Sequence, residues 1–252
     1  MTAGDVDYAV HGGGYATQRR TDPRIARYIL DALGNARTVV NVGAGAGSYE
    51  PTDRYVTAVE PAAAMRRQRP AQAVPAIDAT AEQLPFDDDA FDAAMATVTV
   101  HQWRDLDRGL HELRRVARGP VVILTFDGDA LGDFWLKRYV PELLAAERAR
   151  SPSIERIVRE LGGVVEVSTV PIPFDCIDGF ADAFYGRPEA FLDDAVRRAQ
   201  SAWTFLPAGV EQRFVTRLAD DLRSGAWDRE HGHWRTTPTL DGALRLIVGR
   251  PR

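Results

Sequence analysis

An α/β fold built on a doubly wound, mostly parallel sheet is what this sequence predicts, and three observations carry the prediction. Val39 to Gly47, VVNVGAGAG, is an apolar strand that runs straight into glycines at 43, 45 and 47. Strand and helix signals then alternate with short connections, the pattern of repeated βα units. The strand candidates are continuous apolar runs, as expected of strands covered on both faces.

The elements follow in order. Asp22-Pro23 supplies an N-cap and a first-turn proline, Ile25, Ile29, Leu30 and Leu33 make an apolar stripe, and Gly34 closes the helix. Strand one follows at Val39. Tyr55 to Pro61, YVTAVEP, reads as strand two, Ala62 to Arg69 as a helix stopped by Pro70, and Val74 to Ile77 as strand three. Ala93 to Val100 reads as strand four. Asp105 opens a helix with Leu106, Leu110, Leu113 and Ala117 on one face, and its closing arginines 114, 115 and 118 suit the negative end of the helix dipole. Val121 to Phe126 is strand five. Ile154, Ile157, Val158 and Leu161 mark a helix ending at Gly162-Gly163, Val164 to Ile172 alternates as strand six, and Ala243 to Val248 is strand seven. About seventy residues separate the last two, too many for an unstructured connection. Within them Pro188 to Trp203 reads as one helix and Val210 to Leu222 as another. The expected organisation is a leader over 1–21, a core over 22–173, a helical cap over 174–238 above the substrate pocket, and the final strand over 239–252.

Bulk properties narrow the function. A chain of 252 residues buries one substantial core, and 45% apolar with 27% charged residues is ordinary globular composition. The net charge of −5 offers no basic field for a phosphate backbone, so nucleic acid is not the expected partner. Cys176 is the single cysteine, the start lacks an apolar signal core, and no run approaches the ~20 apolar residues of a membrane span. A cytoplasmic enzyme for a small molecule is expected, as monomer or dimer.

The glycine turn points to a nucleoside cofactor. An apolar strand ending in such a turn lets backbone approach a ligand, and Glu60, seventeen positions after Gly43, is placed to accept bonds from two ribose hydroxyls. The dinucleotide fingerprint G-x-G-x-x-G needs a third glycine where Ser48 stands. Instead V-x-G-x-G-x-G with Glu60, then Asp78-Ala79, then Ala81-Glu82-Gln83-Leu84-Pro85-Phe86 and Phe91-Asp92 resembles the class I S-adenosylmethionine-dependent methyltransferases over roughly residues 38 to 126. The resemblance departs at Asn41, usually an acid in that family, and at Arg118-Gly119-Pro120, where many relatives carry Pro-Gly-Gly.

The resemblance implies a Rossmann-like seven-stranded sheet whose last strand is antiparallel, with S-adenosylmethionine as cofactor. It assigns cofactor contacts to Gly43, Ala44, Gly45, Glu60, Pro61, Asp78, Ala79 and Thr97, and to Tyr15 and Arg20 as a segment folding over the cofactor. The alternative for that segment is a solvated leader. It also faces His101, just past strand four, toward the methyl, where an imidazole suits proton removal near neutral pH. A sulfonium methyl is already a strong electrophile, so proximity does most of the catalysis and His101 competes with a purely capping role. Trp103, Trp135, Tyr139, Tyr185 and Trp203 are candidates for stacking on a flat acceptor, with core packing as the alternative. His231-Gly232-His233 is too small a set for a metal site, and none is expected; Asp87-Asp88-Asp89 is a solvated turn. Three functions stay open: methyl transfer to O, N or C of a small organic acceptor, a methyltransferase fold that binds the cofactor as scaffold or cyclase-type catalyst, and a nicotinamide-dependent oxidoreductase.

Overall fold

The structure, a computed structural model, describes residues 18–251. Its centre is a seven-stranded sheet of β1 (Thr38–Val42), β2 (Tyr55–Val59), β3 (Ala76–Ile77), β4 (Ala93–Thr97), β5 (Val121–Phe126), β6 (Val164–Thr169) and β9 (Leu244–Arg250), in the order β3-β2-β1-β4-β5-β9-β6. All neighbours pair in parallel except β9, which runs antiparallel to both β5 and β6. A separate ribbon pairs β7 (Ile172–Pro173) with β8 (Thr239–Leu240).

Alternation along each strand divides the core. Val39, Met95, Val122 and Leu124 face one side with Ile25, Ile29 and Leu33 of helix α1 (Pro23–Leu33). Val40, Ala94, Val121 and Ile123 face the other, under Leu106, Leu110 and Leu113 of α3 (Leu106–Val116) and Ile157 and Leu161 of α6 (Ile154–Leu161). Period-2 side chains with helices on both faces are the physical content of a doubly wound sheet. Asp22 caps α1 through the Arg24 amide, and Asp105 caps α3 through the Arg108 amide, as the sequence predicts.

Several boundaries differ, each for a local reason. The helix expected over Ala62 to Arg69 is the single turn α2 (Ala63–Arg66), because Arg66 turns back onto the carbonyls of Glu60 and Pro61 and Arg69 onto that of Val74. Strand four stops at Thr97 rather than Val100, since Val98 takes a left-handed φ of 51°. Strand six ends at Thr169, and Pro171 and Pro173, which have no N–H for a ladder, divert the chain into the ribbon. The helix expected from Pro188 to Trp203 is three short pieces. Asp193 caps a new start at α7 (Asp194–Arg198), and Gln200 is extended.

The helical layer also has two sources. Besides α7, α8 (Val210–Arg223) and α9 (Ala226–His231), it takes residues 128–150, inserted after β5 and containing α4 (Leu136–Tyr139) and α5 (Pro141–Arg150). Leu136, Tyr139, Val140 and Leu143 bury in one cluster with Phe191, Phe214 and Trp227, so the layer recruits a stretch that the sequence reading left in the core. That cluster is continuous with the α1 face of the sheet.

Candidate functional site

The glycine turn leaves β1 and reaches β2 without forming a helix. Gly43, Gly45 and Gly47 hold φ of 72°, 51° and 96°, left-handed conformations that favour glycine. At Gly43 a Cβ would also lie 2.1 Å from Thr99 Oγ1, so the first glycine is required by a protein side chain. The turn's amides are consumed internally. Gly43 and Ala44 N–H both donate to the Val59 carbonyl, Gly47 N–H to Ala44, and Gly45 N–H to Glu60 Oε2 at 2.9 Å. No helix N-terminus and a carboxylate on the Gly45 amide make this a poor cradle for a pyrophosphate, which removes the physical basis of the nicotinamide alternative.

Glu60 is 7% exposed, at the end of β2. Its second oxygen accepts from Ala62 N–H at 2.8 Å, which leaves one lone pair on each oxygen for further donors. Burial pushes its carboxyl above the usual range, opposed by the two amide bonds and by Arg66 and Arg69. Behind the turn Asn41, fully buried, donates to Glu50 Oε1 at 3.0 Å, and Glu50 pairs with Arg69 at 2.7 Å with 10% and 4% of their side chains exposed. Arg69 also reaches the Gly45 carbonyl. Both oxygens of Glu50 are thus engaged by Asn41 and Arg69 behind the turn.

The glycine turn and Glu60 bound a cleft of about 430 Å³, within the range of small-molecule sites. Its wall includes the predicted Gly43, Ala44, Gly45, Glu60, Pro61, Asp78 and Thr97. Ala79 is not on it, and the Ala79 N–H donates to the Ile77 carbonyl. Asp78 pairs with Arg66 at 2.8 Å. Trp103, expected at the acceptor, stands on this wall instead, seated against Gly109 of α3, where a Cβ would lie 2.5 Å from its ring. Glu82 holds the Trp103 turn by accepting from the amides of Arg104 and Asp105. The rest of the Leu84-Pro85-Phe86 block is fastened to α3, with Leu84 N–H on Glu112 and Arg115 on the Phe86 carbonyl. Asp92 accepts from the amides of Arg37 and Thr38 at the start of β1.

A second cavity lies beyond the end of β4. His101, on the 3-10 turn Val100–Gln102, is on its wall with Val98, Phe126, Leu143, Phe180 and Gln200. Val98 is on the walls of both cavities, and its backbone is held there by its N–H to the Leu124 carbonyl at 2.7 Å. A β-branched residue in the left-handed region is strained, and strain of this kind concentrates at functional sites. Arg19 is on the same wall, paired with Asp178 at 2.6 Å, and Asp178 also accepts from Tyr49 of the glycine loop at 2.9 Å. Arg20, the predicted arginine, is exposed and on neither wall, and Tyr15 lies outside the described residues.

The remaining aromatic candidates are core. Trp135, Tyr139, Tyr185 and Trp203 are buried and on neither wall. Trp135 packs edge-on against Tyr139, Phe191 and Trp227 and donates to the Tyr185 carbonyl. Tyr139 and Tyr185 spend their hydroxyls on Asp221 and the Thr237 carbonyl. His231 leans on Trp227 and His233 on Trp234, and no metal-binding group of three acidic, histidine or cysteine side chains occurs among the described residues.

Comparison with known proteins agrees with this geometry. Residues 40–123 match the methyltransferase domain family. The uncharacterized methyltransferase YcgJ of Bacillus subtilis is 30% identical over 126 residues, 46% of this chain and 49% of that protein; the match therefore spans about half of this curated relative. A putative methyltransferase from an antibiotic biosynthesis pathway of Anabaena variabilis superposes with a TM-score of 0.87 at 28% identity, over 93% of this chain and 99% of that one. Geranyl diphosphate C-methyltransferase from Streptomyces coelicolor, with S-adenosyl-L-homocysteine bound, shares the fold at a TM-score of 0.51 and 17% identity, over 90% and 75% of the two chains.

Fold, turn and matches together define the fold of the class I S-adenosylmethionine-dependent methyltransferases, and S-adenosylmethionine is the cofactor that this fold family implies. The cleft fits that group. Besides the open lone pairs of Glu60, both carboxamide atoms of Gln102 on its wall are buried with no hydrogen-bond partner among the described residues, so the cleft presents donors and acceptors to a ligand bearing hydroxyl, amine and carboxylate groups. No described helix is long and apolar enough to cross a membrane.

Proposed function

We propose that the chain transfers the methyl group of S-adenosylmethionine to O, N or C of a small organic acceptor held in the second cavity. The observation that carries this is the shared wall at Val98, which brings the acceptor cavity up to the cofactor cleft at the end of β4. The cofactor, when bound, supplies a sulfonium methyl that needs an aligned nucleophile and little else. Glu60 accepts from the ribose hydroxyls, Asp78 and Trp103 border the adenosine end, and Thr97, Thr99 and Gln102 line the wall toward Val98. His101 takes the proton from a hydroxyl or amine acceptor. The cap, over 174–238 with residues 128–150, closes the acceptor cavity from water. An acceptor from secondary metabolism is supported by the pathway named for the Anabaena relative.

Titration with S-adenosyl-L-homocysteine and NAD, followed by methyl transfer to a panel of small phenols, amines and carbon acids, tests the reading. Tight homocysteine-nucleoside binding without transfer to any of them would favour a cofactor-binding fold with another role. His101→Gln is expected to lower kcat/KM about 100-fold. It should also flatten the acid limb of the pH profile while cofactor affinity holds; unchanged turnover and profile would remove the base.

A further inference from the structure

The second cavity contains a buried polar group, Gln200, with no role in cofactor binding or proton removal. Gln200 is 6% exposed and lies on the cavity wall, between α7 and the 3-10 turn Ser201–Phe205. Its amide has a defined orientation. The Trp203 indole N–H, which can only donate, meets Gln200 Oε1 at 3.2 Å, so the nitrogen is turned the other way. Gln200 Nε2 is buried and has no hydrogen-bond partner among the described residues. A buried amide nitrogen with two unsatisfied N–H bonds is a demand for an oxygen acceptor.

The surroundings restrict which oxygen. Phe126, Leu131, Leu143 and Phe180 give the cavity apolar walls. Asp182 is also there, 4% exposed, with one oxygen accepting from Ala243 N–H at 3.0 Å, and Glu147 lies on the same wall. Burial pushes the Asp182 carboxyl up toward its neutral form, and Arg19 on this wall is already held by Asp178, so an anionic ligand would enter an apolar cavity beside Glu147 and find that arginine engaged.

We infer that Gln200 is the specificity anchor of the acceptor site: the cavity takes a neutral, largely apolar molecule whose carbonyl oxygen accepts a hydrogen bond from Gln200 Nε2. Held by that oxygen, the molecule is fixed in the cavity that also contains His101 and Val98. This rests on the reading of the second cavity as the acceptor site, and it narrows the acceptor class to neutral carbonyl compounds.

Binding of acetophenone, ethylbenzene and benzoate to the full chain saturated with S-adenosyl-L-homocysteine tests it, by titration calorimetry or ligand-observed NMR. Acetophenone is expected to bind about fivefold more tightly than ethylbenzene, the ratio one neutral hydrogen bond supplies, and more tightly than benzoate. Gln200→Glu, assayed at a pH where its carboxyl is ionised, keeps the oxygen that the Trp203 indole requires and replaces the donor with an acceptor; it should erase the ketone preference. Gln200→Leu should do the same while ethylbenzene binding is kept. Equal affinities in the parent protein, no binding of any probe, or a preference that survives Gln200→Glu would overturn the inference. Ketone selectivity abolished by both variants in a protein that transfers no methyl would keep this inference and remove methyl transfer. Methyl transfer without ketone selectivity would do the reverse.

Discussion

Glu60 carries a cost that a ligand relieves. Its burial raises the carboxyl pKa in the folded protein, so the protonated form persists above the ordinary carboxylate value; the linked contribution to stability is full below that ordinary value and is lost as pH rises through the folded value. Ribose hydroxyls donate to the ionised form, so cofactor binding opposes protonation. Affinity for S-adenosyl-L-homocysteine is therefore expected to rise with pH through the Glu60 titration and then level off. Glu60→Gln should remove that dependence and weaken binding roughly tenfold or more, the loss of a charge-assisted bond; calorimetry across pH 4 to 8 checks both. Val98 is the second residue under strain. A left-handed β-branched residue costs about 1–2 kcal/mol, so Val98→Gly should leave the melting temperature unchanged or raised. The same change in an unstrained strand would lower it. Turnover should fall, because Val98 walls both cavities. Of these two, Glu60 is legible in the sequence by its spacing from the glycines, whereas the φ of Val98 has no sequence signal.

At the scale of elements, α3 shows how a local rule is overridden by a neighbour. Gly109 sits inside a helix, where Gly to Ala ordinarily stabilises by about 0.5–1 kcal/mol. Here the added methyl would meet Trp103 at 2.5 Å. Gly109→Ala is expected to destabilise instead, by about 1–3 kcal/mol as overpacking does, and to weaken cofactor binding because Trp103 is on the cleft wall. Denaturant unfolding and homocysteine-nucleoside titration of one variant test both. The turn between β1 and β2 makes a similar point. Its glycines announce a turn, but whether a helix follows depends on Tyr49 and Glu50 being drawn to Asp178 and Arg69. Those partners are 129 and 19 residues away in sequence, and no local pattern identifies them.

For the molecule as a whole, the helical layer and the sheet share one core, and this changes what the aromatics do. Trp135 touches Tyr139, Phe191 and Trp227 and no cavity. Trp135→Ala is expected to cost about 3–5 kcal/mol of stability, with KM for the acceptor little changed in the protein that stays folded. A large KM effect at constant stability would return Trp135 to the acceptor site. By itself the sequence determined the strand order's raw material, the capped helices α1, α3 and α6, the glycine turn and the acid at 60, because periodicity, capping and turn chemistry act over a few residues. Only the tertiary structure decided that residues 128–150 join the helical layer, that Arg19 and not Arg20 lies on the wall of the second cavity, that Trp103 lines the cleft beside the glycine turn, and that Gln200 lines the second cavity. Each of those depends on contacts between residues far apart in the chain, where side-chain identity says what a group can bind but not what will stand beside it.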